Sequence, residues 1–478
     1  MKAGRKGIAA AVIAIAVGAN ALFGAGVMSA SSATIQMKDS TGWDIYTGAG
    51  YRYGPSIIQN SDGSLDMWTC GPGGGSAWDY VYYKRSTDGG HTWGTEAPAI
   101  APTPGSRDTF STCDPGVIKL GSYYYLGYTS TEDSAGNVNQ LYVARSLTPG
   151  SGYVKWNGTG WGGNPQPIVT YTGPSSGYGV GEPSLVEKDG TLFVYYTYLD
   201  GTGLSQTRLA TASATNANWP GALTQRGVAI QREQGGNAGF DLVEDSSDVK
   251  YVDSLGKFVA VAESNRLRND SYTVAYESTD GLTFVPSVFT NIDKQNYSHN
   301  VGISGTPNGH LDTTKPNFVA FAYGPNWAAW HLHLSPISFA AQQVGVTYRS
   351  HVQSIGWQGW VADDRFTGTQ GQALRLEAFQ LSLTNPTAGA GVSYQSYVQG
   401  SGWQASVSNG ATSGTSGQSL YIEAIRLVMS NVPAGYHLKY RVHQQDIGWS
   451  DWKVDGQQAG TTGQGKRIEA FQAFVYKD

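Results

Sequence analysis

Residues Gly179–Tyr198 read GVGEPSLVEKDGTLFVYYTY. An acid, Glu182, stands between a glycine and a proline, and a short apolar run follows. The Lys188-Asp189-Gly190 turn then reverses the chain into a second strand of aromatic and β-branched residues, the pattern of a β-hairpin with a carboxylate at its mouth. Two other stretches repeat the layout: GPSIIQNSDGSLDMW from Gly54, and DPGVIKLGSYYYLGY from Asp114. A looser copy, DVKYVDSLGKFVAV, puts Asp248 in the corresponding slot. Hairpins that recur and each aim a first residue at one place predict the blades of a β-propeller.

The rest of the chain agrees. Only 14% of the 478 residues are charged, and glycine and tyrosine are abundant. No helical periodicity is sustained beyond the N-terminus, so the expected class is all-β. Pro55, Pro115, Pro183 and Val249 hold matching slots about 60 to 70 residues apart, as four-stranded blades with long loops require. With a further unit from His299, five units fit between residues 43 and 340, giving a five-bladed β-propeller. Ser86, Asp88, Gly90, Thr92 and Trp93 fit the Asp-box pattern S-x-D-x-G-x-T-W, with a weaker copy at Ser278–Pro286. Asp88 and Asp280 are therefore expected to be turn-forming carboxylates.

Lys2, Arg5 and Lys6 precede an apolar, small-residue run from Gly7, with Ala30 and Ala33 as cleavage positions. Residues 1–33 are read as a secretory signal peptide, which places the protein outside the cell or on its surface with no transmembrane span after cleavage. The net charge is −5, and −8 without those three cations, which argues against a nucleic-acid partner. Cys70 and Cys113 are the only cysteines; in an exported chain they form either a disulfide or two buried thiols.

From Val344 to Asp478 the texture changes. Trp357, Trp403 and Trp449 stand 46 residues apart, as do Glu377, Glu423 and Glu469. Three copies too short to bury separate cores predict one pseudo-threefold β-repeat domain of prism or trefoil type. The copies (IGWQGWVADDRF, SGWQASVSNGAT and IGWSDWKVDGQQ) resemble the clostridial hydrophobic W repeats of secreted bacterial proteins, which implies binding to a surface, a polysaccharide or a protein. The tryptophans are expected in the core rather than stacked on sugars, and the glutamates as structural acceptors.

Inner strands of a propeller begin at one face and converge on its axis. Asp114, Glu182 and Asp248 are thus candidates for the protonated acid and ionised partner that cleavage of a glycosidic bond needs. Residues 43–340 resemble the five-bladed glycoside hydrolases of family 43 type (arabinofuranosidases, xylosidases, arabinanases). That resemblance implies hydrolysis of an arabinan- or xylan-type poly- or oligosaccharide. It makes Glu182 in GEPSLV the general acid and Asp114 in CDPGVI the aspartate that tunes it. In that family an aspartate before Pro-Ser-Ile is the base, whereas YGPSII places Gly54 there. Three readings stay open. Asp79 or Asp248 serves as base; or the site is sialidase-like, with Arg52 clamping a substrate carboxylate and Asp79 as acid/base; or the propeller is a glycan-binding adhesin that cleaves nothing. Trp43, Trp78, Tyr178 and Trp327 suit sugar-stacking walls. No motif demands a cofactor or a metal, but the family-43 resemblance implies a structural cation near the axis, beside His299 or His310.

Overall fold

The computed structural model describes residues 35–201, 205–231, 245–269, 271–341, 344–363 and 365–477. The proposed signal peptide lies outside them, and no helix among them is long and apolar enough to cross a membrane.

The fold is all-β. Blade one contains Tyr53–Gln59, Leu65–Pro72, Asp79–Ser86 and Ala97–Ile100; blade two Cys113–Leu120, Tyr123–Ser130, Gln140–Ser146 and Val154–Lys155; blade three Gly179–Lys188, Thr191–Leu199, Ser205–Ser213 and Thr224–Gln231. Blade four contains Asp245–Val252, Lys257–Ser264, Tyr272–Ser278 and Val285–Thr290; blade five Ser298–Gly305, Asn317–Tyr323 and His331–Ala341. The first strands of successive blades touch one another in a closed ring, blade five returning to blade one. Walled on both faces, these strands are continuously buried: all eight residues of Ser298–Gly305 are buried. This is why they read as unbroken apolar and small runs rather than alternating ones.

Each neighbouring pair of blades encloses its own apolar cluster. Trp68 and Val81 meet Leu126 and Tyr128 between blades one and two, and Leu141 and Val143 meet Leu185 and Val194 between two and three. Val186 and Tyr195 meet Val249 and Ala260, Val259 and Val261 meet Ile303 and Phe321, and Phe318 and Leu334 meet Ile57 and Met67. The fifth blade takes its outer strand from the other end of the propeller sequence. Ile35–Asp39 pairs antiparallel with His331–Ala341 and parallel with Val285–Thr290. The sheets therefore begin before residue 43, and the chain ends of the propeller are stitched into one blade.

Cys70 and Cys113 are joined in a disulfide, linking the second strand of blade one to the first of blade two. The two S-x-D segments form self-contained turns. Asp88 accepts from the Thr92 amide at 2.9 Å, which with the Thr92 hydroxyl pushes its carboxyl down to about 2, and Asp280 accepts from the Leu282 and Thr283 amides.

The C-terminal domain is three five-stranded sheets, each completed by a strand from another repeat. Ser413–Gly414 of repeat two pairs with Leu376–Thr384 of repeat one. Ala459–Gly460 of repeat three pairs with Ile422–Ser430 of repeat two, and Phe366–Gly368 of repeat one with Ile468–Lys477 of repeat three. This cyclic exchange means that no repeat is complete alone. Tyr348, Tyr394 and Tyr440 fill the shared core, and their hydroxyls accept the amides of Ala473, Leu381 and Leu427 at 2.8, 3.1 and 3.1 Å. Tyr394→Phe leaves that amide without its acceptor and is expected to cost about 1–3 kcal/mol, read as a lower urea midpoint.

The tryptophans do not share that core. Trp357, Trp403 and Trp449 are half-buried, each with a guanidinium over its ring: Arg349 at 4.9 Å, Arg426 at 4.3 Å and Arg441 at 4.7 Å. The arginine sits on one strand in repeats one and three, paired across to Gln380 and Gln472, but in repeat two Gln395 and Arg426 exchange places. Glu377 and Glu469 are buried against Arg375 and Arg467, and Glu423 accepts the Gln464 amide, in keeping with structural acceptors.

Candidate functional site

In all five blades the first strand carries a bulge, and at each bulge one residue is left-handed: Gly54 (φ 58°), Asp114 (48°), Glu182 (51°), Ser246 (52°) and Asn300 (50°). A side chain there costs about 1–3 kcal/mol of backbone strain. Asn and Asp tolerate this region best, so a glutamate is the most telling occupant. All five line one narrow axial cavity of about 30 Å³, space for about two waters.

Glu182 is 7% exposed. Its Oε2 accepts the Ser246 amide at 2.8 Å, and its Oε1 faces the Asn300 Nδ2 at 3.4 Å. Asn300 also donates to the Ser246 hydroxyl at 2.5 Å. The Glu182 backbone N–H donates to Thr129 Oγ1 at 2.8 Å. The slots of blades four and five thus position the glutamate of blade three. Asp114 Oδ2 lies 3.4 Å from the Tyr178 hydroxyl, and its Oδ1 lies 3.6 Å from Cys113 Sγ. At Gly54 a Cβ would stand 3.2 Å from the Asp114 Cα and 3.3 Å from its Oδ1, so the Asp114 carboxylate occupies the space beside the bare slot.

Asp248 lines the cavity but is not the blade-four counterpart. The bulge sets Ser246 in that slot and Asp248 two residues further on, level with Ser56, Gly116, Ser184 and Gly302. There it is consumed by structure, accepting from the Ser184 hydroxyl and the Ile303 amide at 2.7 Å each and ion-pairing with Lys250.

That ion pair bears on the expected axial cation. The Lys250 ammonium, on a side chain only 8% exposed, already places a fixed positive charge among the cavity-lining residues. His310 is engaged by Asp253 at 3.0 Å and the Glu187 carbonyl at 2.6 Å. His299 is packed against Trp330 with ring centroids 4.4 Å apart, and burial pushes its imidazole down to about 3. The Lys250 ammonium therefore opposes a divalent ion among the cavity-lining residues, and no step is routed through one. EDTA is expected to leave the thermal midpoint unchanged. Lys250→Met, which strands the Asp248 charge, should cost about 3–5 kcal/mol, visible as a lowered urea midpoint.

Arg52 is engaged within the protein. Its guanidinium lies between the Tyr46 and Tyr82 rings at 4.6 and 4.3 Å and is bonded to Glu96 and the Tyr51 carbonyl. Asp79 stands beside the disulfide, one carboxylate oxygen within 4.8 Å of both sulfurs. It accepts from Tyr51 at 2.5 Å and Ser111 at 3.3 Å, and burial raises its carboxyl above the usual range. Next to it Trp78, 37% exposed, stacks on Phe110 at 5.0 Å. Tyr51 and Tyr53 continue the aromatic rim to Trp330, which meets Trp327, 77% exposed. Trp43 lies elsewhere, stacked on His91 and bonded to the Gly90 carbonyl.

Sequence reasoning missed Ser246, Asn300, Tyr51, Tyr53 and Trp330. A signal for Asn300 exists: NVGIS and DPGVI share a glycine two residues past the slot.

The clostridial hydrophobic W family matches residues 351–385, 397–431 and 443–473, one stretch per repeat. No curated protein sequence matches the chain. Among solved structures, the chain is similar to an α-L-arabinofuranosidase from Podospora anserina in complex with cellotriose (12% identity, 64% of this chain, 97% of that one, TM-score 0.44). It is also similar to a thermostable family-43 glycoside hydrolase (13%, 62% and 94%, 0.45) and an endo-arabinase from Bacteroides thetaiotaomicron (15%, 62% and 97%, 0.44). At such identities function has to be read from the side chains.

Proposed function

We propose that the chain is an exported glycoside hydrolase cleaving an arabinan- or xylan-type poly- or oligosaccharide, with its three repeats holding it to a surface or glycan. The observation that carries this reading is the pair Asp114 and Glu182. They are two carboxylates in left-handed slots of adjoining blades, facing one axial cavity. Glycosidic cleavage needs such a pair, one group protonating the leaving oxygen and the other ionised. Exposed Trp78 and Trp327 on the surrounding rim add platforms for sugar faces. Arg52, spent on Glu96 and two tyrosines, speaks against a sialidase.

A glycan-binding adhesin is the competing reading, favoured by the bare slot at Gly54. Incubating the full chain with 4-nitrophenyl α-L-arabinofuranoside, β-D-xyloside and α-sialoside, and with arabinan and xylan, separates the two. Release from the first two or shortening of either polymer is expected. Glycan binding with no release from any of them would overturn the hydrolase reading.

A further inference from the structure

We propose that Asp114 is the water-activating base of this site, taking over from the side chain that Gly54 lacks; this rests on the hydrolase reading above. A carboxylate in the slot of blade one would have to start from a Cβ 3.2 Å from the Asp114 Cα, tighter than about nine in ten real Cβ contacts. Blade one has instead given up its side chain, and Asp114 Oδ1 stands 3.3 Å from where that Cβ would be. Tyr178 marks its other oxygen, Oδ2, at 3.4 Å.

Two other carboxylates lie nearby, and each has a structural role. Asp248 is bound to Lys250, Ser184 and the Ile303 amide. Asp79, on the third strand of blade one, is bound to Tyr51 and Ser111 and does not line the axial cavity.

In the proposed step Asp114 takes a proton from water as the water oxygen bonds to the anomeric carbon. The glycosidic C–O bond breaks with its electron pair going to the leaving oxygen, which receives the Glu182 proton. Asp114 ends protonated and Glu182 ionised, and exchange with solvent resets both. The product has inverted configuration.

The test compares Asp114→Asn, Asp79→Asn, Glu182→Gln and Gly54→Asp in the full chain. Each is assayed on the 2,4-dinitrophenyl and 4-methoxyphenyl glycosides of whichever sugar the wild type releases, with and without sodium azide. A base is needed whatever the leaving group, so Asp114→Asn should lose about 10²–10⁴-fold on both substrates. Azide should restore the dinitrophenyl reaction as an inverted glycosyl azide. Gly54→Asp should fall below wild type because its Cβ crowds Asp114.

Three results would overturn the assignment: an Asp114→Asn loss confined to the poor leaving group without azide rescue, as a group that only tunes Glu182 would give; azide rescue of Asp79→Asn; or a gain in Gly54→Asp. Circular dichroism and glycan affinity equal to wild type separate these from misfolding. A wild type that turns over no glycoside sinks the hydrolase reading instead.

Discussion

Glu182→Gln is expected to lower turnover of unactivated glycosides by about 10²–10⁴-fold while leaving glycan affinity within about twofold. The substitution keeps the size and shape of the side chain. Its amide oxygen can still accept the Ser246 N–H that Oε2 accepts at 2.8 Å, so the left-handed bulge keeps its anchor. The amide cannot supply a proton to a leaving oxygen. Dinitrophenyl glycosides, whose leaving group departs without protonation, should be largely spared. Kinetics on the two substrate types together with glycan affinity by calorimetry check this. Equal losses on both would mean that Glu182 does not act as the acid, and an unchanged rate would remove it from the chemistry.

Much of this architecture is legible in the sequence because a propeller repeats one physical problem. Every inner strand must be buried on both faces and must begin with a bulge, so GEPSLV, CDPGVI and YGPSII look alike. Blade four escapes the pattern because its slot lies two residues before the only acid in DVKY. Val249 copies the apolar position that proline holds elsewhere, whereas the bulge between Asp245 and Asp248 sets the true alignment. The strand Ile35–Asp39 could not be assigned from a local pattern, since its partners lie at the far end of the propeller. Arg52 shows the same limit: Tyr46, Tyr82 and Glu96, which occupy its guanidinium, are scattered along the chain. In the repeats, a period of 46 marks Trp357 and Tyr348 equally. Periodicity alone does not say that tyrosine takes the shared core while tryptophan sits under an arginine at the surface.

Removing the Cys70–Cys113 disulfide is expected to lower stability by about 4 kcal/mol, the chain-entropy value for a closed loop of this length; the two cysteines are 43 residues apart. The bridge spans blades one and two where Cys113 immediately precedes the strained Asp114, and the Tyr53 hydroxyl sits 2.9 Å from Cys113 Sγ. The same bond therefore closes a loop in the unfolded chain and ties the start of blade two to blade one in the folded one. Double substitution to serine should shift the urea midpoint downward. Below that midpoint it should reduce turnover more than glycan affinity, because the slot at Asp114 loses its tether while the rim tryptophan Trp327, packed on Trp330, keeps its own. An unchanged midpoint would show that the blade-one to blade-two cluster of Trp68, Val81, Leu126 and Tyr128 holds the junction without covalent help. A lower midpoint with undiminished turnover would show that the bulge at Asp114 is set by its own strand and not by the bridge.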